Sequence, residues 1–227
     1  MKVLLALIFA AASGYFLGSL NSSIISVRLL KGKDIRTMGS HNAGLTNTLR
    51  CAGSTCAAIT LAGDLLKGII AVTMSRGFCN LINAGIGSGN DTHYIGYIAG
   101  FFAIIGHIYP IYYGFKGGKG VLVAASTFLA VNPKVFIACI TIFIVVLALS
   151  KYVSLASIIS CSYVPLATLL MSLIVEQNSF GRSFLYMMLT LPMMGMVIWM
   201  HRTNIVRLKN GTENKFKFKS KDVPEET

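Results

Sequence analysis

Carboxylates are what this chain has least of. Its 227 residues hold 8 Asp and Glu against 20 Lys and Arg, a formal net charge of +12, and charged residues of every kind make up only 12 %, about half the share of an ordinary soluble domain. Of the eight acids only Asp64 falls inside an apolar stretch, which excludes a carboxylate-rich two-metal site within those stretches. Cysteine is sparse and unpatterned. Cys51, Cys56, Cys79, Cys139 and Cys161 are odd in number and mostly embedded in apolar sequence, fitting neither a disulfide framework nor a zinc spacing; they read as small apolar fillers. Apolar residues, by contrast, supply 54 %, with 22 Gly besides. So little charge cannot clothe a soluble core of this length, and the bilayer is the solvent.

Seven apolar runs, at residues 3–23, 53–75, 94–112, 120–132, 134–150, 154–175 and 183–200, predict an all-α polytopic integral membrane protein with about seven transmembrane helices. The fourth run is short for a span. Together the runs leave too little chain for a second domain of ordinary size, so residues 1–227 are expected to form a single integral-membrane domain with 210–227 as a basic tail. Ala10-Ala11-Ala12-Ser13-Gly14 could close a signal peptide, but apolar character continues through Phe16, Leu17 and Leu20, so an uncleaved first helix is expected.

Lysine and arginine set the orientation. With the N-terminus outside, the inner segments carry Arg28, Lys31, Lys33, Arg36, Arg50, Lys116, Lys119, Lys151 and seven more between Arg202 and Lys221, fifteen in all, against Lys2, Arg76, Lys134 and Arg182 outside. The C-terminus is then cytoplasmic. A basic rim of this kind is explained by insertion and by anionic lipid headgroups, so no nucleic-acid partner is expected. Lys215-Phe216-Lys217-Phe218-Lys219 reads as an interfacial segment. The longest loop is expected outside, at residues 76–93, and its Gly85-Ile86-Gly87-Ser88-Gly89 reads as a flexible turn. Two glycosylation triplets, at Asn90 and Asn210, carry no weight.

Three polar stretches remain, all on the inner face. Gly39-Ser40-His41-Asn42-Ala43-Gly44-Leu45-Thr46-Asn47-Thr48-Leu49-Arg50 masses hydrogen-bond donors at the lipid boundary with no carboxylate to satisfy them; an anion would. Its plain alternative is a helix start capped by Asn47 or Thr48. Gly106-His107-Ile108-Tyr109-Pro110 leads into Gly114-Phe115-Lys116-Gly117-Gly118-Lys119-Gly120, where glycines could turn backbone N–H groups inward beside two lysines and a following helix N-terminus, a phosphate nest in outline. It is not a Walker A loop, because Gly120 rather than Ser or Thr follows Lys119. The third stretch, His201 to Glu213, places His201 and Asn204 on one helix face with Arg207 nearby. Asp64 and Lys67, at i and i+3, can pair within the second span.

With these residues in view the chain resembles the bacterial acyl-phosphate:glycerol-3-phosphate acyltransferase family (PlsY). Ser40 to Arg50 resembles its S-G-N-x-G-A-T-N-x-x-R motif. Gly106 to Pro110 and Phe115 to Gly120 resemble G-H-x-x-P and F-K-G-G-K-G, His201 to Glu213 resembles H-R-x-N-I-x-R-L-x-x-G-x-E, and Asp64, Lys67 and Gly68 meet D-x-x-K-G. Two departures, His41 for Gly and Leu45 for Ala, are expected to reshape the first loop or change its affinity for substrate.

The resemblance implies transfer of a fatty acyl group from acyl phosphate to the sn-1 hydroxyl of glycerol 3-phosphate in a bacterial cytoplasmic membrane, with membrane lipids around a monomer and neither cofactor nor metal. It implies His201, Asn204, Ser40 and Arg50 as catalytic residues. Asn42, Asn47, His107, Lys116, Gly117, Gly118, Lys119 and Gly120 would bind substrate phosphate, and Asp64, Lys67, Arg207 and Glu213 would support them. The general base stays open between His201 and a substrate phosphate.

Rival classes fit less well. A soluble-type glycerolipid acyltransferase would show His-x4-Asp, but Thr46, Ile98, Tyr112 and Val206 stand five after the four histidines. A CDP-alcohol phosphotransferase would need clustered membrane aspartates. A transporter of an anionic solute would put its polar groups near the midplane, often in repeated halves, and no repeat is present.

Topology is directly testable. In a cysteine-free background, cysteine placed at Ser40 or Lys116 should be shielded from an impermeant thiol reagent added outside cells and react once they are opened; labelling from outside at either position contradicts the orientation.

Overall fold

A computed structural model describes residues 1–87 and 91–216. The described residues are helical almost throughout: α1 (Lys2–Ser19), α2 (Ser22–Lys31), α3 (Leu45–Leu81), α4 (His93–Ile108), α5 (Val121–Val131), α6 (Pro133–Ser150), α7 (Val153–Leu170), α8 (Phe180–Trp199) and α9 (Arg202–Lys209). Six helical segments are long and apolar enough to cross a membrane: Lys2–Lys31, Leu45–Leu81, His93–Tyr113, Pro133–Ser150, Val153–Val175 and Phe180–Trp199. The remaining apolar run is α5, whose 11 residues rise only about 16 Å.

Each element has local causes. Asn21 caps α2 by accepting from the Ile24 N–H at 3.1 Å, and Asn132 caps α6 through the Val135 N–H at 3.2 Å, with Pro133 in the first turn where a missing N–H costs nothing. In α1, Ala6, Ala10, Gly14 and Gly18 recur every fourth residue and are buried. That small-residue stripe lies on α4: a Cβ on Gly14 would strike the Ala99 carbonyl, one on Gly18 the Ala103 backbone, and one on Gly106 the Tyr15 carbonyl. Helices that cannot use a hydrophobic drive inside lipid associate through such close backbone approach. The other sides of the bundle, including Ile137, Ile144 and Leu149 of α6, are exposed and suit lipid chains.

Several boundaries differ from the sequence expectation. The first run divides at Leu20–Asn21 into α1 and α2, because the Asn21 cap starts a new helix. The second helix begins at Leu45 rather than 53 and carries a non-helical residue at Gly53, φ 85°, a conformation that glycine alone adopts freely. Its start is capped by neither Asn47 nor Thr48, since Gly44 holds the N-cap with no side-chain bond. The same helix runs on to Leu81, so the expected outer loop shrinks to residues 82–92; of its glycine run, Ser88 and Gly89 lie outside the described residues, as does Asn90. That end is fastened by Asp91, which accepts from the Tyr186 hydroxyl and from the His93 N–H at 2.8 Å. In the basic tail, residues 217–227 lie outside the described residues.

The α1–α4 seam should be intolerant of volume. Gly18→Ala is expected to destabilise the detergent-solubilised protein by about 1–3 kcal/mol, the usual cost of overpacking, read as a lower thermal midpoint; an unchanged midpoint would contradict the close packing.

Candidate active site

Beneath the glycine loop lies a buried ionic triad. Lys67 on α3 reaches Asp64 Oδ1 at 2.8 Å, His107 Nδ1 at 2.8 Å and the Leu20 carbonyl at 3.1 Å. An ammonium only donates, so His107 Nδ1 accepts and the ring hydrogen sits on Nε2. That nitrogen lies against Gly118, where any side chain would collide with it and with the Ala43 carbonyl. The Asp64–Lys67 pair expected from the sequence is therefore present, and it is bonded to His107.

Above the triad, the loop departs from the expected nest. The Gly117 and Gly118 N–H groups donate to the Ile108 and His107 carbonyls at 3.1 Å each, closing the C-terminal end of α4. They have no hydrogen left for a phosphate. Gly120, at φ 84°, turns the chain into α5, whose first N–H groups have no partner within the helix and whose first residues, Val121 and Leu122, line the cavity.

The first stretch folds around one amide. Asn47 Oδ1 accepts the Ser40 N–H at 2.9 Å, while Nδ2 donates to the Met38 and Asn42 carbonyls at 3.0 and 3.1 Å. Asn47 lines the cavity but is buried, and its amide bonds, to the loop backbone and to Cys51 Sγ, make it the scaffold of the loop rather than the free donor that the sequence suggests. Around it Ser40 and Arg50 are exposed and Asn42 is half-buried. His41 stands at φ 57°, a left-handed position natural for glycine, and its Nδ1 bonds the Arg36 carbonyl at 3.0 Å.

The third stretch supplies the opposite wall. Gly211, at φ 68°, turns the chain after α9 so that Glu213 comes back beneath it. Glu213 accepts from Asn204 Nδ2 at 2.6 Å, Ser154 Oγ at 2.7 Å and Arg207 Nε at 2.7 Å. Burial pushes its carboxyl up, but those donors outweigh burial and hold it below the usual range. With its Nδ2 fixed, Asn204 offers Oδ1 to Lys119 Nζ. Burial, with the Arg207 charge against it, lowers the Lys119 ammonium to about 8 despite the Glu213 charge. His201 donates from Nδ1 to the Val197 carbonyl at 2.8 Å, leaving Nε2 as an acceptor. Burial, together with the Lys119 charge, lowers the imidazole to about 4, although the bond to Val197 and the Glu213 charge oppose this.

These groups share a cavity of about 500 Å³. Its mouth is lined by Ser40, Asn42, Arg50, Lys119, His201 and Asn204, and it continues between α5, α6, α7 and α8 past Leu122, Phe128, Phe136, Ile140, Phe143, Val164 and Met194. Lys116, Gly117 and Gly118 do not line it. Lys116 is exposed, Gly117 and Gly118 serve as packing, and His107, bonded within the triad, also lines the cavity. Arg50 also stands at the mouth exposed. Sequence reasoning missed Ser154, a lone serine at the start of α7 with no motif to mark it. Among the described residues no group of three or more His, Cys, Asp or Glu is arranged to hold a metal.

A polar, cationic mouth opening into an apolar groove is the class of site that suits a membrane enzyme handling an anionic headgroup beside a hydrocarbon chain. The comparisons specify which. The sequence profile described as "Glycerol-3-phosphate acyltransferase" matches residues 8–211. A glycerol-3-phosphate acyltransferase of Clostridioides difficile is 40 % identical over 208 residues, covering 92 % of this chain and 94 % of the other; one from Listeria monocytogenes is 38 % identical over 212 residues, covering 93 % and 98 %. Among solved structures, the glycerol 3-phosphate form of PlsY (YgiH), an integral membrane glycerol 3-phosphate acyltransferase, superposes with a TM-score of 0.75 at 30 % identity, covering 96 % of both chains, and its lysophosphatidic acid form with 0.71 at 28 %. The chain belongs to the glycerol-3-phosphate acyltransferase family.

Because the Lys119 value is lowered to about 8, its charge is present below that pH and lost above it. The affinity of the free protein for a phosphorylated ligand should therefore fall as pH rises from about 7 to 9, and Lys119→Arg should flatten the fall, since guanidinium stays charged. Titrations of ligand binding across that range check this; a wild-type affinity that does not change with pH contradicts it.

Proposed function

We propose that the protein transfers a fatty acyl group from acyl phosphate to the sn-1 hydroxyl of glycerol 3-phosphate, giving lysophosphatidic acid and inorganic phosphate. It would act as a seven-span monomer in a bacterial inner membrane, with the N-terminus outside and the site on the cytoplasmic face. One observation carries the reading: the cationic mouth, with Arg50, Lys119 and the α5 N-terminus, opens directly into an apolar groove in one continuous cavity. A phosphate fits the first part and a hydrocarbon chain the second. The relatives' shared name and the glycerol 3-phosphate form of the solved neighbour support the acceptor.

Acyl phosphate is already a mixed anhydride, so the chain needs no covalent nucleophile, and positioning with charge stabilisation is enough. Arg50, Lys119, Ser40 and Asn42 hold the phosphates and the oxyanion that develops as the acceptor oxygen bonds the acyl carbon. His201 Nε2 accepts the acceptor's O–H and orients it. At about 4 the imidazole is too weak a base to keep the proton near neutral pH. As the acceptor oxygen bonds the acyl carbon its proton becomes strongly acidic; it leaves the hydrogen bond to His201 Nε2 for the departing phosphate as the carbonyl carbon–oxygen bond to phosphate breaks, and the phosphate leaves as hydrogen phosphate. Glu213 and Arg207 fix Asn204, and through it Lys119.

Steady-state kinetics on variants inserted to wild-type levels test this division. Lys119→Ala is expected to raise KM for glycerol 3-phosphate, because a contact kept from ground state to transition state is uniform binding. Arg50→Lys should also impair turnover, since an ammonium cannot reproduce a forked grip on phosphate. His201→Ala should instead lower kcat, by roughly 10- to 100-fold through lost orientation, with little change in KM. Near-normal kcat in His201→Ala, with turnover abolished at saturating substrate in Lys119→Ala, would invert the assignment.

A further inference from the structure

Segment 34–41, which ends in the Ser40 loop, and the turn at 113–116, which leads to Lys119, carry two halves of the cavity mouth. They are joined by a residue outside every motif described above. Arg36 donates from one guanidinium nitrogen to the Tyr113 carbonyl at 2.6 Å and to the Lys116 carbonyl at 3.2 Å. The rest of its fork is held by Asp34, at 3.0 Å from Nε and 2.8 Å from NH2. Asp34 also accepts the Arg36 N–H at 3.0 Å and pairs with Arg28 at 2.7 Å, and Arg28 in turn lies over the Tyr113 ring, 5.7 Å from its centre. On its other side the Arg36 carbonyl takes the His41 ring hydrogen, beside Ser40.

The turn that Arg36 grips is one that needs holding. Gly114 and Phe115 are consecutive left-handed residues, at φ 64° and 59°, and for a bulky side chain that conformation is costly and persists only where its surroundings over-determine it. The two carbonyls that Arg36 holds flank this pair. The carboxylate that orients Arg36 is kept ionised: its hydrogen bonds from Arg36 above all, against a smaller cost of burial, hold Asp34 far below the usual carboxylate range.

We infer that Arg36, oriented by Asp34, is a positioning residue that sets the Ser40 loop and the Lys119 loop at the spacing their phosphate ligands require, without touching substrate itself. This rests on the acyl-transfer reading for its functional consequence, though not for its geometry. Loss of the brace lets the two loops drift, and bound phosphates must then re-order them. Binding suffers while the saturated enzyme is restored. Arg36→Ala should therefore raise KM for glycerol 3-phosphate and for acyl phosphate together, by roughly 10- to 100-fold, with kcat at saturation within about threefold. Free methylguanidinium should lower the raised KM in Arg36→Ala and leave wild type unchanged. Arg36→Lys keeps the charge but cannot hold two carbonyls and a carboxylate at once, so it should fall between the two, and it serves where the alanine variant inserts poorly.

A second measurement needs no turnover. Spin labels at Thr37 and Tyr112, both exposed, in a background lacking the native cysteines, should give one narrow distance distribution with Arg36 present and a broad one in Arg36→Ala or Arg36→Lys. Wild-type KM values in Arg36→Ala, or an unchanged distance distribution, would overturn the brace. So would a loss of folded protein with KM unaltered, which is what a purely structural residue produces. Absence of wild-type turnover with these substrates would instead overturn the acyl-transfer reading, and the distance measurement would still decide the brace.

Discussion

The arrangement rests on a charge that has to be buried. Lys67 is 5 % exposed within a helix that crosses apolar surroundings, and an ionised group there persists only if paired and fully bonded. Its three partners come from three directions: Asp64 one turn earlier on α3, His107 near the end of α4, and the Leu20 carbonyl where α1 gives way to α2. Satisfying one ammonium thus fixes the middle of α3 against the adjoining ends of α1 and α4. Gly118 then lies on the His107 ring, with no room for a side chain. The loop that delivers Lys119 to the cavity stands on this triad.

Scarcity of acid extends the same logic outward. Among the described residues, the carboxylates on the cavity's side of the bundle are already engaged: Asp34 by Arg28 and Arg36, Asp64 by Lys67, and Glu213 by Arg207, Asn204 and Ser154. Among the described residues Lys119 bonds a neutral amide oxygen rather than a carboxylate, and Arg50 lines the mouth without a salt bridge. A region with more cationic donors than anionic acceptors is stabilised by an anion arriving from outside the protein, and the apolar groove continuing from it selects an anion with a hydrocarbon tail. Substrate recognition follows from what the folded chain leaves unpaired.

Much of this was legible in the residues. Apolar runs marked six of the long helices and flagged the fourth run as short, which is what α5 is. Motif spacing brought Ser40, Arg50, Lys119, His201 and Asn204 to one cavity. What was not legible depended on tertiary bonding. A glycine run looks the same whether its N–H groups face a ligand or close a neighbouring helix, and at Gly117 and Gly118 the carbonyls of α4 take them. Asn47 sits in a donor-rich stretch yet serves as its internal scaffold, because its amide can reach three backbone groups that only the folded loop assembles. Ser154 and Arg36 act across more than fifty residues of sequence, a range no local pattern encodes. The departure at His41 is accommodated because the ring, placed in a left-handed turn, finds the Arg36 carbonyl.

The central proposal is that positioned positive charge, with no metal and no covalent intermediate, carries an acyl group from the mixed anhydride acyl phosphate to the hydroxyl of glycerol 3-phosphate. Phosphorus NMR on purified protein in liposomes, with a chelator in excess and both substrates supplied, tests it most directly. The account predicts lysophosphatidic acid and inorganic phosphate appearing in equal amounts at an unreduced rate, with no phosphate released when glycerol 3-phosphate is left out. Loss of turnover on chelation, restored by a divalent cation, or phosphate released from acyl phosphate alone through an acylated protein, would contradict it.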